Sequence, residues 1–190
     1  MRISRLFATA VAALSMAALS SYAAPLKWAA QNDILTMDPH SQNHTTTHSL
    51  LQHSYEGLVR YTKDFQVEPC LATSWQQISP TQWRFSLRKG VKFHDGSPFT
   101  ADDVVFSYGR IIQPQGTNQI YVSGVKEAKK IDDHTVDLIL SGPNPVLLRL
   151  LVDFRIMSKI WSAKNKSENI QDYKAREETY ASRNANGTGP

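Results

Sequence analysis

The stretch Trp83–Arg110, WRFSLRKGVKFHDGSPFTADDVVFSYGR, carries more local structural signals than any other part of this 190-residue chain. Apolar and polar residues alternate from Trp83 to Leu87 and again from Val91 to Phe93, which is typical of strands that bury one face. Lys89-Gly90 and His94-Asp95-Gly96 supply turn chemistry after each run. The stretch therefore predicts two strands, each followed by a turn.

A capped helix is predicted for the end of the same stretch. Thr100 stands at an N-cap position, and Asp103 can return the hydrogen bond three residues later, as in a capping box with a shorter acid. Asp102 and Asp103 also place negative charge at the positive end of the helix dipole. The helix should bury one apolar stripe, formed by Val104, Val105, Tyr108, Ile111 and Ile112.

Residues 1–23 are predicted to be a secretory signal peptide that is cleaved. Arg2 and Arg5 precede an uncharged run of apolar and small residues from Leu6 to Leu19, and Ser21-Tyr22-Ala23 offers the small residues that a signal peptidase reads. The alternative is a membrane anchor, for which the run is short and rich in alanine. We therefore expect the mature chain to be soluble outside the cytoplasmic membrane.

Net charge and cysteine content argue against two further classes of protein. The formal charge is +4, and it moves closer to neutral when Arg2 and Arg5 leave with the signal peptide. Such a chain gives no electrostatic reason to expect nucleic acid or an anionic membrane as a partner. Cys70 is the only cysteine, so it cannot form an intrachain disulfide, and we interpret it as a buried, inert thiol.

Periodicity and turn residues predict further elements on both sides of the central stretch. They are a strand at Leu26–Ala30, a helix within residues 41–57 that Gly57 can end, a hairpin of Leu58–Tyr61 with Phe65–Val67, a polar turn at Gln76–Thr81, a charged edge strand at Val125–Ile131 paired with Thr135–Leu140, a largely buried helix at Pro145–Asp153 with Asn144 as its N-cap, and an exposed helix at Asp172–Ala181.

Four histidines, His40, His44, His48 and His53, lie in and before the first of these helices. His44 and His48 are spaced so that two imidazoles could share a metal ion, but no nearby Cys and no helical Asp or Glu completes a ligand set. We favour a polar helix face. A weak, adventitious nickel or zinc site is the alternative, and no specific metal ligand is predicted.

The sequence shows no recognisable catalytic machinery. It lacks a Gly-x-Ser-x-Gly motif, and Gly187-Thr188-Gly189 lacks the lysine and following helix of a phosphate loop. His94-Asp95 resembles half of a catalytic pair, but its position in a turn before Gly96 favours a structural role. We therefore predict no catalytic residue and no cofactor.

Six short motifs follow one another along the mature chain. They are Met37-Asp38-Pro39, Tyr55-Glu56-Gly57-Leu58, Pro69–Trp75, Trp83–Val105, His134-Thr135-Val136 and Gly187-Thr188-Gly189-Pro190. In this order they resemble the signature of bacterial extracellular solute-binding proteins of family 5. Members of this family are the oligopeptide-, dipeptide- and nickel-binding receptors of ABC importers.

The resemblance implies a mixed α/β fold, similar to class II periplasmic binding proteins, in which two lobes close around a ligand. Residues 24–42 would begin lobe I, residues 43–183 would form its additional subdomain, and residues 184–190 would return to lobe I. A natural domain rarely ends on a Gly-Thr-Gly-Pro turn. We therefore expect a fragment that lacks the second lobe.

The function implied by the resemblance is that of the periplasmic substrate-binding component of an ABC transporter. Such a protein is not an enzyme; as a monomer, it would capture a small peptide and deliver it to the membrane permease subunits. Asn43, His44 and Thr45, after the Asp-Pro motif, and Tyr121, after the central helix, would contact the ligand. The alternatives are a metal or metallophore receptor of the same family and, from a different class, a secreted hydrolase.

Overall fold

The computed structural model describes Ala29, residues 31–172, residues 174–175 and residues 178–190. Its helices and strands lie within the unit Asn32–Pro190. In chain order they are α1 (Thr45–Leu51), β1 (Val59–Tyr61), β2 (Val67–Pro69), β3 (Ala72–Ser79), β4 (Gln82–Leu87), α2 (Ala101–Ile111), a 3-10 turn (Gln119–Val122), β5 (Val125–Asp132), β6 (Thr135–Leu140), α3 (Leu147–Leu150), a 3-10 turn (Leu151–Asp153), α4 (Lys159–Lys164) and α5 (Tyr180–Arg183).

Four strands form an antiparallel sheet in the order β3-β4-β6-β5, and β1 pairs with β2 in a separate hairpin. In the centre of the sheet, Phe85 of β4 lies opposite Val136 of β6, and both side chains are fully buried. Next to them, Arg84 donates two hydrogen bonds to Asp137, at 2.7 and 2.8 Å. One face of this strand pair is therefore apolar, and the other is held by a bidentate ion pair.

Helix α2 covers the apolar face of the sheet. Val104, Tyr108 and Ile111 are buried in the main hydrophobic core, and the Tyr108 hydroxyl donates to the Val125 carbonyl oxygen at 2.8 Å. The core extends through Leu147 and Phe154, which follow β6. The long chain segment after the sheet therefore packs against the sheet and is part of the same core.

The N-terminus of α2 is joined to α4 through one carboxylate. Asp103 is almost fully buried; its Oδ2 accepts the backbone N–H of Thr100 at 2.8 Å, and its Oδ1 accepts the N–H of Lys159 at 2.8 Å. The predicted capping box is confirmed. Its acid also satisfies a backbone donor at the start of a second helix, which the local sequence did not indicate.

Several predicted elements are confirmed. Strand β4 and the two turns after it form as expected, with glycines at φ +76° (Gly90) and +85° (Gly96), where a side chain would be strained. Strand β5 lies at an edge of the sheet and pairs with β6. A hairpin forms where one was predicted, but its second strand is Val67–Pro69 and not Phe65–Val67, because Phe65 lies in the connecting turn with φ +57°.

Two predictions within the central stretch are wrong. Val91–Phe93 does not form a strand, because its only ladder contact is an isolated bridge between Lys92 and Pro98. Ile112 does not belong to the buried stripe, since α2 ends at Ile111 and the Ile112 side chain is 44% exposed.

The predicted turn at Gln76–Thr81 is largely strand, because β3 continues to Ser79. β3 is an edge strand whose side chains are mostly exposed, so its polar residues are compatible with pairing to β4. The helix predicted within residues 41–57 is limited to α1, and Gly57 does not end it. Gly57 instead bridges Arg155, where an added Cβ would lie 3.1 Å from three carbonyl oxygens.

The last predicted helices are also shorter than expected. Pro145–Asp153 contains one helical turn, α3, followed by a 3-10 turn, and Val146 is 49% exposed. The predicted cap is wrong, because the N-cap of α3 is Val146; Asn144 Oδ1 accepts the Val146 N–H at 3.1 Å in the turn that precedes the helix. In Asp172–Ala181, Asp172 and residues 174–175 are not helical, and α5 begins only at Tyr180. At the end of this region Ala181 is fully buried.

The signal peptide (residues 1–23) and most of the strand predicted at Leu26–Ala30 lie outside the described residues. Within the part of the chain that the structure describes, no helix has the length and apolar character needed to cross a membrane.

The two acids at the start of α2 allow a matched stability test. We expect Asp103→Ala to lower the free energy of unfolding by about 2–3 kcal/mol, because two partly buried backbone N–H groups at helix starts lose their acceptor. Asp102→Ala, at an exposed neighbour paired with lysines, should cost under about 1 kcal/mol. Urea unfolding measures both values, and equal losses for the two variants would contradict the assigned role of Asp103.

Candidate ligand-binding surface

The segment that follows the Asp-Pro motif is held by a buried ion pair. Arg110, near the end of α2, donates to both carboxylate oxygens of Asp38, at 2.7 and 2.6 Å, and neither side chain is exposed. The remaining contacts of the guanidinium go to backbone carbonyl oxygens at Ser167 and Asn169, both at 3.0 Å, and to His40. Sequence analysis used Asp38 only as part of the Met37-Asp38-Pro39 motif and did not predict this pair.

His40 completes the buried network. Its Nε2 lies 2.8 Å from the Arg155 carbonyl oxygen and its Nδ1 lies 3.2 Å from Arg110 Nη1. Since a carbonyl only accepts and a guanidinium only donates, Nε2 must carry the proton and Nδ1 must accept, so the ring is neutral.

Burial and charge act in opposite directions on these groups. Burial raises the pKa of Asp38, but the charge and hydrogen bonds of Arg110 outweigh it and hold that pKa below its ordinary value. For His40, burial and the nearby Arg110 charge lower the pKa to about 4. The network is therefore stable with an ionised Asp38 and an uncharged His40.

Residues 39–43 are fixed against the loop that follows α2. Asn118 donates to the Pro39 carbonyl oxygen at 2.9 Å, and the Thr117 hydroxyl donates to the Ser41 carbonyl oxygen at 3.3 Å. The same hydroxyl accepts the backbone N–H of Asn43 at 2.8 Å. These bonds hold Asn43, one of the residues predicted to contact ligand, next to the loop that leads to Tyr121, another of those residues.

The structure brings together two of the four residues predicted to contact ligand. The Tyr121 hydroxyl donates to Asn43 Oδ1 at 3.1 Å, although the two residues are 78 positions apart. His44 is the N-cap of α1, and its Nδ1 lies 3.1 Å from the Thr47 hydroxyl. Thr45 is exposed at the start of α1. We call the surface formed by Asn43, His44, Thr45 and Tyr121 the Tyr121 surface.

His48 lies directly beneath this surface, which the sequence analysis did not foresee. Its ring packs edge to face on Tyr121 with the ring centroids 5.4 Å apart, and His48 is 8% exposed. Burial lowers its pKa, while the charges of Asp153 and Arg155 act on it with opposite sign. The spacing of His44 and His48 was the available signal, but it was interpreted as a polar face.

Histidine geometry does not support a shared metal at this place. His44 is engaged in capping α1, whereas His48 packs under Tyr121. Among the described residues, no group of three or more His, Cys, Asp or Glu side chains is arranged to hold a metal ion.

A second junction joins two of the sequence motifs to Ser54, the residue that precedes a third motif. The His94 backbone N–H donates to the Gly187 carbonyl oxygen at 2.9 Å, and His94 Nε2 donates to the Gly189 carbonyl oxygen at 2.8 Å. On the other side, Gly189 N–H donates to the Ser54 carbonyl oxygen at 3.0 Å. His94 is therefore held in the structural turn that the sequence favoured.

Close backbone contact explains the glycines of this junction. A Cβ added to Gly187 would lie 1.8 Å from the Ser54 carbonyl oxygen, and one added to Gly189 would lie 2.6 Å from that of His53. Beside them, Cys70 is buried with its sulfur 3.3 Å from Glu56 Oε1, and burial raises its pKa to about 12. The prediction of a buried thiol is confirmed, and a raised pKa disfavours the reactive thiolate.

Comparison with known proteins decides the family. Residues 66–190 match the family model described as bacterial extracellular solute-binding proteins, family 5, middle. The chain belongs to this family. The predicted resemblance is therefore confirmed for most of the described chain.

Relatives of this family 5 protein include periplasmic binding proteins. It is 30% identical over 140 residues to the periplasmic oligopeptide-binding protein OppA of Escherichia coli K12. The alignment covers 64% of this chain and 26% of OppA. The structure of the ABC transporter-associated periplasmic binding protein DppA from Helicobacter pylori, in complex with peptide STSA, matches with a TM-score of 0.67 and 29% identity, over 83% of this chain and 34% of that chain.

A third comparison extends the likeness in fold. The structure of NikZ from Campylobacter jejuni, in complex with Ni(L-His), matches with a TM-score of 0.69 and 24% identity, over 84% of this chain and 30% of that chain. The solved relatives confirm the mixed α/β class of periplasmic binding proteins. The family 5 chain spans about a quarter to a third of the relatives' length.

From the burial of His40 we predict how the stability of this family 5 protein depends on pH. Its pKa of about 4 in the folded state lies below the ordinary 6.5, so the unfolded state binds more protons between these values. Lowering the pH from 6.5 to 4.5 should therefore reduce the free energy of unfolding by about 2–3 kcal/mol through this group. Urea unfolding at the two pH values measures the loss.

His40→Gln should lose much of this pH dependence, whereas His53→Gln, at an exposed side chain, should retain it. An unchanged pH dependence in His40→Gln would contradict the assignment.

Proposed function

We propose that this chain is part of the periplasmic substrate-binding component of an ABC transporter that captures small peptides and delivers them to membrane permease subunits. The observation that carries the proposal is membership of family 5 together with the Tyr121 surface, where two separate segments meet. OppA is named for oligopeptides, and the DppA structure holds a peptide. Reaching the periplasm would require cleavage of the signal at residues 1–23.

The proposed division into lobes follows from the same likeness. Residues 24–42 would begin lobe I, residues 43–183 would form its additional subdomain, and residues 184–190 would lead back into lobe I. The contact of Gly187 and Gly189 with Ser54 and His94 supports this division, because it holds the end of the chain beside the start of the subdomain. The Tyr121 surface would then face a ligand held by a second lobe that closes by a hinge.

Peptide capture is favoured over the alternatives by what these residues offer. Asn43 and Tyr121 present an amide and a phenol, groups that can hydrogen-bond the backbone of an extended peptide with little regard to its side chains. A metal receptor would use the histidines, but His44 and His48 are engaged separately. A hydrolase would require a nucleophile and base, whereas His94 bonds to backbone carbonyls. We also propose that the receptor acts as a monomer, without chemistry or cofactor of its own.

Titration calorimetry on the protein isolated from the periplasm tests the proposal. A mixture of di- and tripeptides should release heat, and neither Ni²⁺ alone nor nickel with L-histidine should do so. Asn43→Ala should weaken peptide affinity about three- to tenfold, because one hydrogen-bonding group at the surface is lost. Tyr180→Phe, at an exposed ring packed on Trp161, is the control and should bind as the unsubstituted protein does.

Heat from nickel and none from peptides would favour the metal receptor instead. Mass spectrometry of the recovered peptides completes the test, since cleavage products would indicate a hydrolase.

A further inference from the structure

Two buried polar atoms, one of His48 and one of Asn118, have no hydrogen-bond partner within the part of the chain that the structure describes. They are Nε2 of His48, whose side chain is almost fully buried, and Oδ1 of Asn118, whose side chain is fully buried. A buried polar atom without a partner destabilises a fold, and native proteins contain few of them. Packing alone therefore does not account for these two side chains.

Asn118 lies beside the His48 ring. Its Nδ2 donates to the carbonyl oxygens of Pro39 and Gln42, at 2.9 and 3.4 Å. The Asn118 side chain and the Gln42 backbone both raise the pKa of His48, as hydrogen-bond acceptors for the protonated ring do. Because Nδ2 of Asn118 is already used, Oδ1 is the atom of this amide that can accept from the imidazole.

His48 therefore lies between the two segments that form the Tyr121 surface. On one side its ring packs on Tyr121, whose hydroxyl donates to Asn43 Oδ1. On the other side it lies beside Asn118, which holds the backbone that leads to Asn43. A change in the charge or position of the His48 ring thus acts on both segments.

The groups around His48 act on its protonation with opposite signs. Burial has the largest effect and lowers its pKa, the Asp153 carboxylate raises that pKa, and the Arg155 guanidinium lowers it. Charge on His48 in turn lowers the pKa of His40, and His44 lies one turn earlier on the same side of α1. His48 is therefore neutral near neutral pH and takes up a proton only below its ordinary value of 6.5.

We propose that His48 is a positioning residue of the Tyr121 surface, and that its neutral ring orders the surface for ligand whereas its protonated ring loosens it. An imidazolium beneath Tyr121 would be a charge removed from water, which is costly unless the ring gains acceptors or solvent. Movement toward Asn118, or displacement of the Tyr121 ring, relieves this cost and breaks the packing of the two rings. The inference deepens the proposed function and rests on it for the class of solute, a small peptide.

An NMR titration of the peptide-free protein from the periplasm, with labelled histidine, tyrosine and asparagine, tests the coupling. The His48 ring should titrate with a midpoint below 6.5, and the signals of the Tyr121 ring and the Asn118 amide should shift with the same midpoint. Asp153→Asn should move this midpoint to lower pH, because it removes a charge that favours the protonated ring. A His48 ring that stays neutral down to about pH 4.5, or Tyr121 and Asn118 signals that do not follow it, would overturn the proposal.

Calorimetric titration with trialanine at about pH 7 and about pH 5 tests the consequence for binding. Both peptide termini keep their charge between these values, and His40, with a pKa of about 4, stays largely neutral. Affinity should be at least about threefold lower at the acidic value, because a surface loosened by protonation must be reordered before it binds. Equal affinity at the two values would contradict the positioning role.

His48→Gln removes the titrating group and decides whether the pH effect belongs to this ring. The variant should bind trialanine with nearly the same affinity at both pH values. His53→Gln, at an exposed side chain, is the matched control and should keep the full pH dependence. Full pH dependence in His48→Gln would rule the proposal out. If this variant does not fold, the midpoint shift in Asp153→Asn still decides.

The two measurements separate failure of the positioning role from failure of the proposed function. Titration of His48 and Tyr121 with one midpoint, but no heat from trialanine, would support the positioning role and count against peptide capture. Heat from trialanine that does not depend on pH would overturn the positioning role and leave peptide capture standing.

Discussion

The buried ion pair of Asp38 and Arg110 is the constraint on which the candidate surface depends. Two charges removed from water destabilise a fold unless each is fully hydrogen-bonded, and here the carboxylate and the guanidinium meet this condition almost entirely through one another and through nearby backbone groups. The pair joins the segment after the Asp-Pro motif to helix α2. Helix α2 is in turn packed on the central sheet, so the segment is fixed to the most rigid part of the molecule.

The ion pair fixes the position of two other parts of the chain. Through Thr117 and Asn118, residues 39–43 are fixed so that Asn43 meets Tyr121. Through His40, the backbone of Arg155 is fixed as well. A receptor gains affinity when its contacting groups are ordered before the ligand arrives, because less conformational entropy is lost on binding. Ordering these groups is therefore a physical reason for the fold to bury the charged pair at a place where apolar side chains could have packed.

Local signals in the sequence were sufficient for much of the central stretch. The alternation at β4, the glycines of the two turns, and the acid that caps α2 each act within a few residues, so the pattern contains the structural information. The same reasoning failed at Gln76–Thr81, because an edge strand tolerates polar residues that resemble a turn. It failed again at Val91–Phe93, where alternation was present but no partner strand lay alongside.

The local sequence pattern could not predict contacts between residues that are far apart in the chain. Asp38 and Arg110 are 72 positions apart, and neither residue type signals a buried partner at that separation. Asn43 and Tyr121 were predicted through a family resemblance, and their contact became visible only in the folded chain. The place of His48 beneath Tyr121 was missed for the same reason, since it depends on which side chains the fold packs around it.

A double-mutant cycle on Asp38→Asn and Arg110→Gln tests the central role of the ion pair most directly. Each single substitution leaves a buried charge without its partner and should lower the free energy of unfolding, measured in urea, by about 3–5 kcal/mol. The double variant should lose less than the sum of the two by at least about 2 kcal/mol, because the remaining charge is also removed. Additive losses would contradict the account, since the two residues would then act independently.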